Sequence, residues 1–138
     1  MGTLLIIDDD TTVRETLNDL LAGTHECHTA DRAEQALEYL QLETYDVVLT
    51  DIAMPGLGGI EILKYITERH PMTPVIVVSG QIEAEKEAFM DMGAFDFFSK
   101  PFRLGEVEDA VMRAISYRDE MKAGASVGGD PNGPEIVT

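Results

Sequence analysis

Leu4-Leu5-Ile6-Ile7 is a run of four apolar residues, and Asp8-Asp9-Asp10 follows it directly. A continuous apolar run of this length, cut off by polar residues, is typical of a strand buried on both faces of a parallel sheet. The next apolar residues have helical spacing instead, since Val13, Leu17 and Leu21 recur at every fourth position. The amino-terminal part of the chain therefore predicts a strand that leads into a helix packed against its sheet.

The same alternation of short apolar runs and helical spacing continues along the chain. Further strands are predicted at residues 47–49, 75–78 and 95–98, and a weak, mostly polar one at about residues 26–30, each followed by a helix. Strands joined by right-handed helical crossovers form a parallel sheet with helices on both faces. We therefore predict a doubly wound α/β domain of flavodoxin type, with five strands in the order 2-1-3-4-5 and five helices.

Local signals predict where several helices begin and end. Asp31 and Glu34 have the spacing of a capping box at the start of the second helix. The fourth helix is predicted at about residues 82–92, with Gly93 as its stop. The fifth begins at Leu104 and is expected to fade near Lys122.

The chain has 138 residues, a length that suits one domain. We place that domain at residues 1–122. Residues 123–138 contain glycine and proline at many positions and little apolar surface to bury. They are predicted to form a flexible tail or linker.

Acidic residues far outnumber basic ones: 26 Asp and Glu stand against 10 Lys and Arg, for a formal charge of −16. Nucleic acids and anionic membranes are bound through basic surfaces, so the composition argues against direct binding to either. The single cysteine, Cys27, excludes an internal disulfide and is typical of a reducing compartment. No export signal and no stretch long enough to cross a bilayer is visible, so a soluble cytoplasmic protein is expected.

Polar side chains follow four of the five predicted strands. Asp8-Asp9-Asp10 follows the first strand, Asp51 the third, Ser79 the fourth and Lys100 the fifth. Because ligands bind at the carboxyl ends of strands in this fold, these side chains are expected to share one site. Clustered carboxylates favour a hard divalent cation such as Mg²⁺. With a lysine and a hydroxyl beside it, that arrangement suits phosphoryl transfer, in which a carboxylate such as Asp51 can be the nucleophile.

Two further motifs accompany this acidic cluster: Asp51-Ile52-Ala53-Met54-Pro55-Gly56 and Lys100-Pro101-Phe102. Together with the acidic pair at Asp8 and Asp9, they resemble the receiver domain of two-component response regulators. The resemblance covers about residues 3–117. It implies that the chain is a phosphoacceptor signalling domain and not an enzyme in its own right.

The resemblance also implies a role for each site residue. Asp51 would be the phosphoacceptor, and Mg²⁺ would be bound by Asp8, Asp9, Asp51 and the backbone carbonyl of Ala53. Ser79 would hydrogen-bond the phosphoryl oxygens and Lys100 would offset their charge. The bond between Lys100 and Pro101 is expected to be cis, a state that is accessible in practice only before proline.

The resemblance further implies partners and a conformational switch. The phosphoryl donor would be a sensor histidine kinase or a phosphotransfer protein. When Ser79 moves toward the phosphoryl group, Phe97 would turn inward and alter the face formed by helix four, strand five and helix five. That face would contact an output or a partner, or form a homodimer.

Two alternative functions stay open on the sequence. Asp8, Asp10 and Thr12 also match the Asp-x-Asp-x-Thr pattern of haloacid-dehalogenase-type phosphatases, with Asp8 as nucleophile and Asp10 as acid and base. That interpretation lacks a downstream acidic metal motif and a cap segment, and it leaves Asp51 unexplained. The second alternative is a receiver-like docking module that is never phosphorylated.

The second predicted strand invites a different metal-site interpretation, because it contains Cys27 and His28 and follows His25. Successive strand residues point to opposite faces of a sheet, however. The spacing also matches no structural zinc pattern. An ordinary polar strand is therefore the prediction.

Overall fold

A parallel sheet with helices on both faces makes up the described part of the computed structural model, which comprises residues 2–52, 58–80 and 86–128. In chain order the elements are β1 (Thr3–Ile7), α1 (Thr11–Leu21), β2 (Glu26–Ala30), α2 (Ala33–Leu42), β3 (Val47–Thr50), α3 (Gly59–Arg69), β4 (Val75–Ser79), α4 (Lys86–Asp91), β5 (Asp96–Ser99) and α5 (Leu104–Gly128). The strands pair in parallel in the order β2-β1-β3-β4-β5. The predicted fold class and strand order are therefore confirmed.

Each face of the sheet is covered by its own hydrophobic core, which explains the uninterrupted apolar runs of the central strands β1, β3 and β4. In β1, Leu5 and Ile7 belong to the core that includes residues of α2, α3 and α4. Leu4 and Ile6 belong to the core on the other face, with residues of α1 and α5. Successive residues of a strand point to opposite faces, so both must be apolar when both faces are buried.

The strands end together at one edge of the sheet. Ile7, the last residue of β1, lies in register with Ala30 of β2 and with Thr50 of β3. At the other side, Ser79 of β4 is in register with Ser99 of β5. The residues that immediately follow these strands are therefore placed at a common carboxyl edge.

The structure corrects the predicted capping box of α2. The helix begins at Ala33, its N-cap is Arg32, and no side chain caps it. Glu34 is one position too early to reach back, because the third helical residue is Gln35. The Gln35 side-chain oxygen instead accepts a hydrogen bond from the Asp31 N–H at 3.2 Å.

The structure also corrects the predicted end of the last helix, since α5 continues past Lys122 to Gly128. The added segment contains alanine and no proline, so nothing in it prevents helical hydrogen bonding. The remaining tail, residues 129–138, lies outside the described residues, as do Ile82 at the predicted start of the fourth helix and the turn at residues 54–56. Gly93 follows α4 with φ of 108°, a left-handed conformation that confirms its role as the stop.

At the amino edge of the sheet, opposite the strand ends described above, a buried arginine ties α5 to the strands. Arg118 is 7% exposed. Its Nε donates to Asp46 Oδ1 at 3.1 Å, and its Nη1 donates to the Met72 carbonyl at 2.9 Å and to Thr73 Oγ1 at 3.1 Å. The other Asp46 oxygen accepts from the Thr3 N–H at 2.8 Å, so one guanidinium joins α5 to the starts of β1, β3 and β4.

Replacing this arginine should destabilise the fold. Arg118→Ala leaves the Asp46 carboxylate and the Met72 carbonyl without their charged donor, and we expect a loss of about 2 kcal/mol in the free energy of unfolding, measured with urea. Arg32→Ala is the matched control, because it removes only an exposed ion pair to Asp31. That control should cost less than about 1 kcal/mol. Equal losses in the two variants would contradict the assignment.

Candidate functional site

Backbone hydrogen bonds to the sheet fix the main chain of three predicted site residues. Asp8, Asp51 and Lys100 each come directly after a strand, and each N–H continues the hydrogen-bond ladder. These amides donate to the carbonyls of Ala30 at 3.1 Å, Ile7 at 2.9 Å and Ser79 at 2.8 Å, respectively. The carboxyl edge therefore fixes the starting point of every one of these side chains.

A lysine bridges two carboxylates at this edge. Lys100 Nζ donates to Asp8 Oδ2 at 2.9 Å and to Asp51 Oδ2 at 3.3 Å. Asp8 is 1% exposed and Asp51 is 5% exposed. The structure thus brings together three residues that are as many as 92 positions apart in the sequence.

Burial and neighbouring charges both shift the pKa values of Asp8 and Lys100. Burial raises the pKa of the Asp8 carboxyl above its ordinary 3.8, against hydrogen bonds from Lys100 and the Asp10 N–H, and the nearby Asp51 charge adds to the rise. For Lys100, burial disfavours the charged form, but Asp8 and Asp51 outweigh it and raise the pKa of the ammonium above 10.5. The lysine is therefore positively charged at neutral pH.

The three consecutive aspartates after β1 have three different environments. Asp8 points into the site, and its Oδ1 also accepts from the Asp10 N–H at 2.9 Å. Asp10 is the N-cap of α1, where its Oδ1 accepts from the N–H groups of Thr12 at 2.9 Å and Val13 at 3.3 Å. Asp9, between them, is exposed to solvent.

The carboxylates fit a divalent cation. Asp8, Asp9 and Asp51 each present one oxygen, and these oxygens lie within 4.8 Å of one another. Hard cations such as Mg²⁺ prefer carboxylate oxygens of this kind. In the described part of the chain this is the one group of acidic, histidine or cysteine side chains arranged to hold a metal ion. Ala53, whose carbonyl is the fourth predicted ligand, lies outside the described residues.

The histidines near β2 have other contacts. His25 Nδ1 accepts a hydrogen bond from the Gly2 N–H at 3.0 Å. His28 lies 2.7 Å from the Tyr45 hydroxyl through Nδ1 and 2.9 Å from Glu26 Oε2 through Nε2. The two rings share no hydrogen-bond partner, in keeping with the prediction of an ordinary polar strand.

The remaining predicted residues lie in β4, in β5 and directly after β5. Ser79 is the fully buried last residue of β4. Phe97, in β5, is buried and stacks on Phe89 of α4 with ring centroids 5.8 Å apart. The peptide bond between Lys100 and Pro101 is cis, as predicted.

Sequence reasoning missed a glycine on which the position of Asp51 depends. Gly59 opens α3, and its N–H donates to the Ile52 carbonyl at 3.2 Å. A Cβ at this position would lie 2.0 Å from the Asp51 carbonyl oxygen and 2.7 Å from the Ile52 Cα. The glycine pair Gly58-Gly59, just before a helical stripe, is the sequence signal that could have indicated this close approach.

Membership of a protein family follows from comparison with known sequences. The sequence model of the response regulator receiver domain matches residues 4–112. The chain belongs to the response regulator receiver family. Such domains are signalling parts of two-component systems, so the family predicted from the motifs is confirmed.

The receiver domain is similar to part of several longer regulators. It is 40% identical over 136 residues to the DNA-binding transcriptional regulator NtrC of Escherichia coli strain K12, which covers 96% of this chain and 28% of that protein. It is 35% identical over 118 residues to the response regulator protein PilR of Pseudomonas aeruginosa, which covers 83% and 26%. The receiver domain thus spans just over a quarter of the curated relatives it matches.

Solved structures show the same fold. A response regulator receiver domain protein from Clostridium thermocellum has a TM-score of 0.82 at 29% identity, covering 88% of this chain and 99% of that one. NtrX from Brucella abortus has a TM-score of 0.83 at 28% identity, covering 90% and 29%. Within the described residues of the receiver domain, no helix is both long and apolar enough to span a bilayer.

Adding one methyl group at Gly59 should disturb the receiver domain strongly. Gly59→Ala forces the Asp51 backbone and α3 apart, and we expect a loss of about 3 kcal/mol in the free energy of unfolding. Gly105→Ala is the control, since a Cβ there meets nothing within 4 Å. It should leave stability unchanged or raise it by up to about 1 kcal/mol through helix propensity. Chemical denaturation of both variants checks this, and a harmless Gly59→Ala would show that the close approach is absent.

The raised pKa of Asp8 predicts a pH-dependent stability of the metal-free receiver domain. A carboxyl whose pKa is higher in the folded state destabilises the fold as the pH rises through that value. Asp8→Asn carries no such charge. Its stability relative to the wild type should therefore be greatest at neutral pH and should decline as the pH falls toward 3.8, the ordinary aspartate value. Urea unfolding in EDTA measures this difference, and a difference that stays constant with pH would refute the prediction.

Proposed function

We propose that this receiver domain accepts a phosphoryl group on Asp51, with Mg²⁺, from a sensor histidine kinase or a phosphotransfer protein. The observation that carries the proposal is the Lys100 ammonium between the buried carboxylates of Asp8 and Asp51, beside the exposed Asp9. A solvated strand end would not bury two carboxylates against one cation. Membership of the receiver family supports the same function.

Asp51 is the proposed nucleophile. One of its carboxylate oxygens forms a bond to phosphorus while the bond between phosphorus and the donor's nitrogen or oxygen breaks. The electron pair of that bond leaves with the donor, so the product is an aspartyl phosphate. Because Lys100 and the end of β3 hold Asp51, the carboxylate needs little reorganisation before the reaction.

Lys100 and Ser79 are proposed to bind the transferred group. The charged ammonium of Lys100 offsets the negative charge on the phosphoryl oxygens, which is the main contribution a protein makes to this kind of transfer. The Ser79 hydroxyl, at the end of the neighbouring strand β4, donates a hydrogen bond to one of those oxygens. Both groups lie at the edge where Asp51 presents its carboxylate.

Asp8, Asp9 and Asp51 are proposed to hold Mg²⁺ together with the Ala53 carbonyl. The cation supplies positive charge and oxygen coordination at the place where the phosphoryl group arrives. Asp9, the exposed member, is the one that can become a direct ligand with the least change in its burial.

The output is proposed to pass through the face formed by α4, β5 and α5. Phe97 occupies the inward position in the structure, stacked on Phe89. Movement of Ser79 toward a phosphoryl group would favour that position and exclude an outward one, which changes the surface offered to an output or to a second copy. Because the chain matches just over a quarter of NtrC and PilR, we propose that the output lies outside these residues, in the cytoplasm.

The phosphatase alternative requires Asp10 to act as acid and base. In the structure the Asp10 carboxylate is the N-cap of α1, where it accepts two backbone N–H groups. A carboxylate held there is poorly placed to shuttle a proton at the strand edge. The docking-module alternative differs from our proposal in one observable, which is whether Asp51 can be phosphorylated.

Phosphorylation can be tested without knowing the kinase. With Mg²⁺ and acetyl phosphate, the intact mass of the wild-type chain should rise by one phosphoryl group, and the adduct should be stable in acid and labile in base. Asp51→Asn should abolish the adduct because the nucleophile is lost. Asp31→Asn, which makes the same chemical change at an exposed residue, should retain it. EDTA should also prevent labelling, since the metal site is needed.

Three results would decide against the proposal. Labelling that persists in Asp51→Asn would place the phosphoryl group elsewhere. If Asp8→Asn abolishes a trapped intermediate during turnover of aryl phosphates and Asp51→Asn does not, the phosphatase alternative is correct. No adduct with small donors or with a cognate kinase would favour the docking module.

A further inference from the structure

Arg14 breaks a local rule of helix sequences. It is the fourth residue of α1, which begins at Thr11. The amino terminus of a helix carries partial positive charge, so a cation in its first turn is unfavourable. Departures of this kind are expected where a residue has a task other than stabilising its own helix.

The Arg14 side chain turns back toward the loop that carries the three aspartates. Its Nη1 donates to the backbone carbonyl of Asp8 at 2.7 Å, and this bond is partly buried. Its Nη2 lies 3.5 Å from Thr11 Oγ1, and its own N–H donates to the Asp10 carbonyl at 3.0 Å. The guanidinium therefore contacts the main chain of the loop, whereas Lys100 contacts the Asp8 side chain.

The carbonyl that Arg14 binds belongs to the peptide unit that joins Asp8 to Asp9. The Asp8 N–H still continues the sheet by pairing with Ala30, but beyond it the chain leaves β1. The Asp8 carbonyl and the Asp9 N–H lie in one rigid plane, because a peptide bond is planar. A charge-assisted hydrogen bond to that carbonyl fixes the plane and with it the direction in which Asp9 leaves the backbone.

Asp9 depends on this plane more than its neighbours do. The side chain of Asp8 is held by Lys100 and by the Asp10 N–H, and that of Asp10 by the start of α1. For Asp9, the hydrogen bonds of the described residues include none to its carboxylate. One of its oxygens is nevertheless among the three carboxylate oxygens of Asp8, Asp9 and Asp51 that lie within 4.8 Å of one another. Its position is thus set by the backbone.

We propose that Arg14 is a positioning residue of the Mg²⁺ site: by holding the peptide plane between Asp8 and Asp9, it places the Asp9 carboxylate beside those of Asp8 and Asp51. The inference rests on the proposed function, since it concerns the metal site that this function requires. In the hydrogen bonds described, Arg14 contacts none of the carboxylates of Asp8, Asp9 and Asp51.

The sign of the effect separates this role from simple electrostatics. A cation next to an acidic site repels Mg²⁺, so removal of the Arg14 charge would tighten metal binding if charge were its whole contribution. Positioning predicts the opposite, because a mobile Asp9 must be ordered when the metal binds. Groups that orient metal ligands typically change affinity by about ten- to a hundredfold when they are replaced.

The test is a calorimetric titration of Mg²⁺ alone into the full chain. Arg14→Gln should bind Mg²⁺ at least about tenfold more weakly than the wild type. Arg14→Lys keeps the charge but lacks the planar, forked donor, so its affinity should lie between the two. Arg32→Gln is the matched control: it removes the same charge from an exposed ion pair with Asp31 and should bind Mg²⁺ as the wild type does.

A second readout is independent of the metal. In EDTA, hydrogen exchange at the Asp10 amide, which donates to Asp8 Oδ1, should be faster in Arg14→Gln than in the wild type, while exchange in β3 and β4 stays unchanged. With acetyl phosphate, the Mg²⁺ concentration for half-maximal labelling should rise, whereas the rate at saturating Mg²⁺ should recover. A general loss of folding would instead accelerate exchange throughout the sheet.

Each outcome is decisive. Mg²⁺ binding by Arg14→Gln that equals or exceeds the wild type overturns the inference and leaves the proposed function intact. If the wild-type chain itself binds no Mg²⁺, the metal part of the proposed function fails as well. Should Arg14→Gln unfold, the lysine variant carries the test, because a purely electrostatic role predicts wild-type affinity for Arg14→Lys and positioning predicts weaker binding.

Discussion

The contact of one ammonium with two buried carboxylates constrains the rest of this domain. Asp8 and Asp51 are almost excluded from water, and their mutual repulsion is tolerable because Lys100 lies between them. The three residues follow β1, β3 and β5, so the contact requires all three strands to run in parallel and to end at one edge. The Lys100 side chain must also extend across the end of β4, where the last residue, Ser79, has a small side chain. A different strand order would separate these charges.

Much of this arrangement was accessible from the sequence, for a definite physical reason. Strands buried on both faces must be apolar throughout, so their ends are sharply marked by the first polar residue, as at Ile7 and Asp8. In a parallel sheet those ends share an edge, and the polar residues Asp51, Ser79 and Lys100 can therefore be assigned to one site from the sequence. The strand order followed from the fold class that the alternation indicates, whereas the cis bond after Lys100 was implied by the resemblance of the motifs to receiver domains.

Other features depended on information that local sequence does not contain. The need for glycine at position 59 arises from the approach of α3 to the Asp51 carbonyl, which only the packed structure defines. The separate environments of Asp8, Asp9 and Asp10 depend on which of them faces Lys100 and which caps α1. The end of α5 was misplaced because residues after Lys122 look like a linker in composition, yet they contain nothing that stops a helix before Gly128.

Helix α5 connects the two edges of the sheet. It starts a few residues after Lys100, at the edge that carries the chemistry, and Arg118 holds it to Asp46 and Thr73 at the opposite edge. The described end of the helix, at Gly128, lies past the Arg118 anchor and therefore away from the metal and phosphoryl positions. The architecture thus separates the chemistry from the carboxyl-terminal end of α5, so that a change at that end of the helix does not crowd the carboxylate edge.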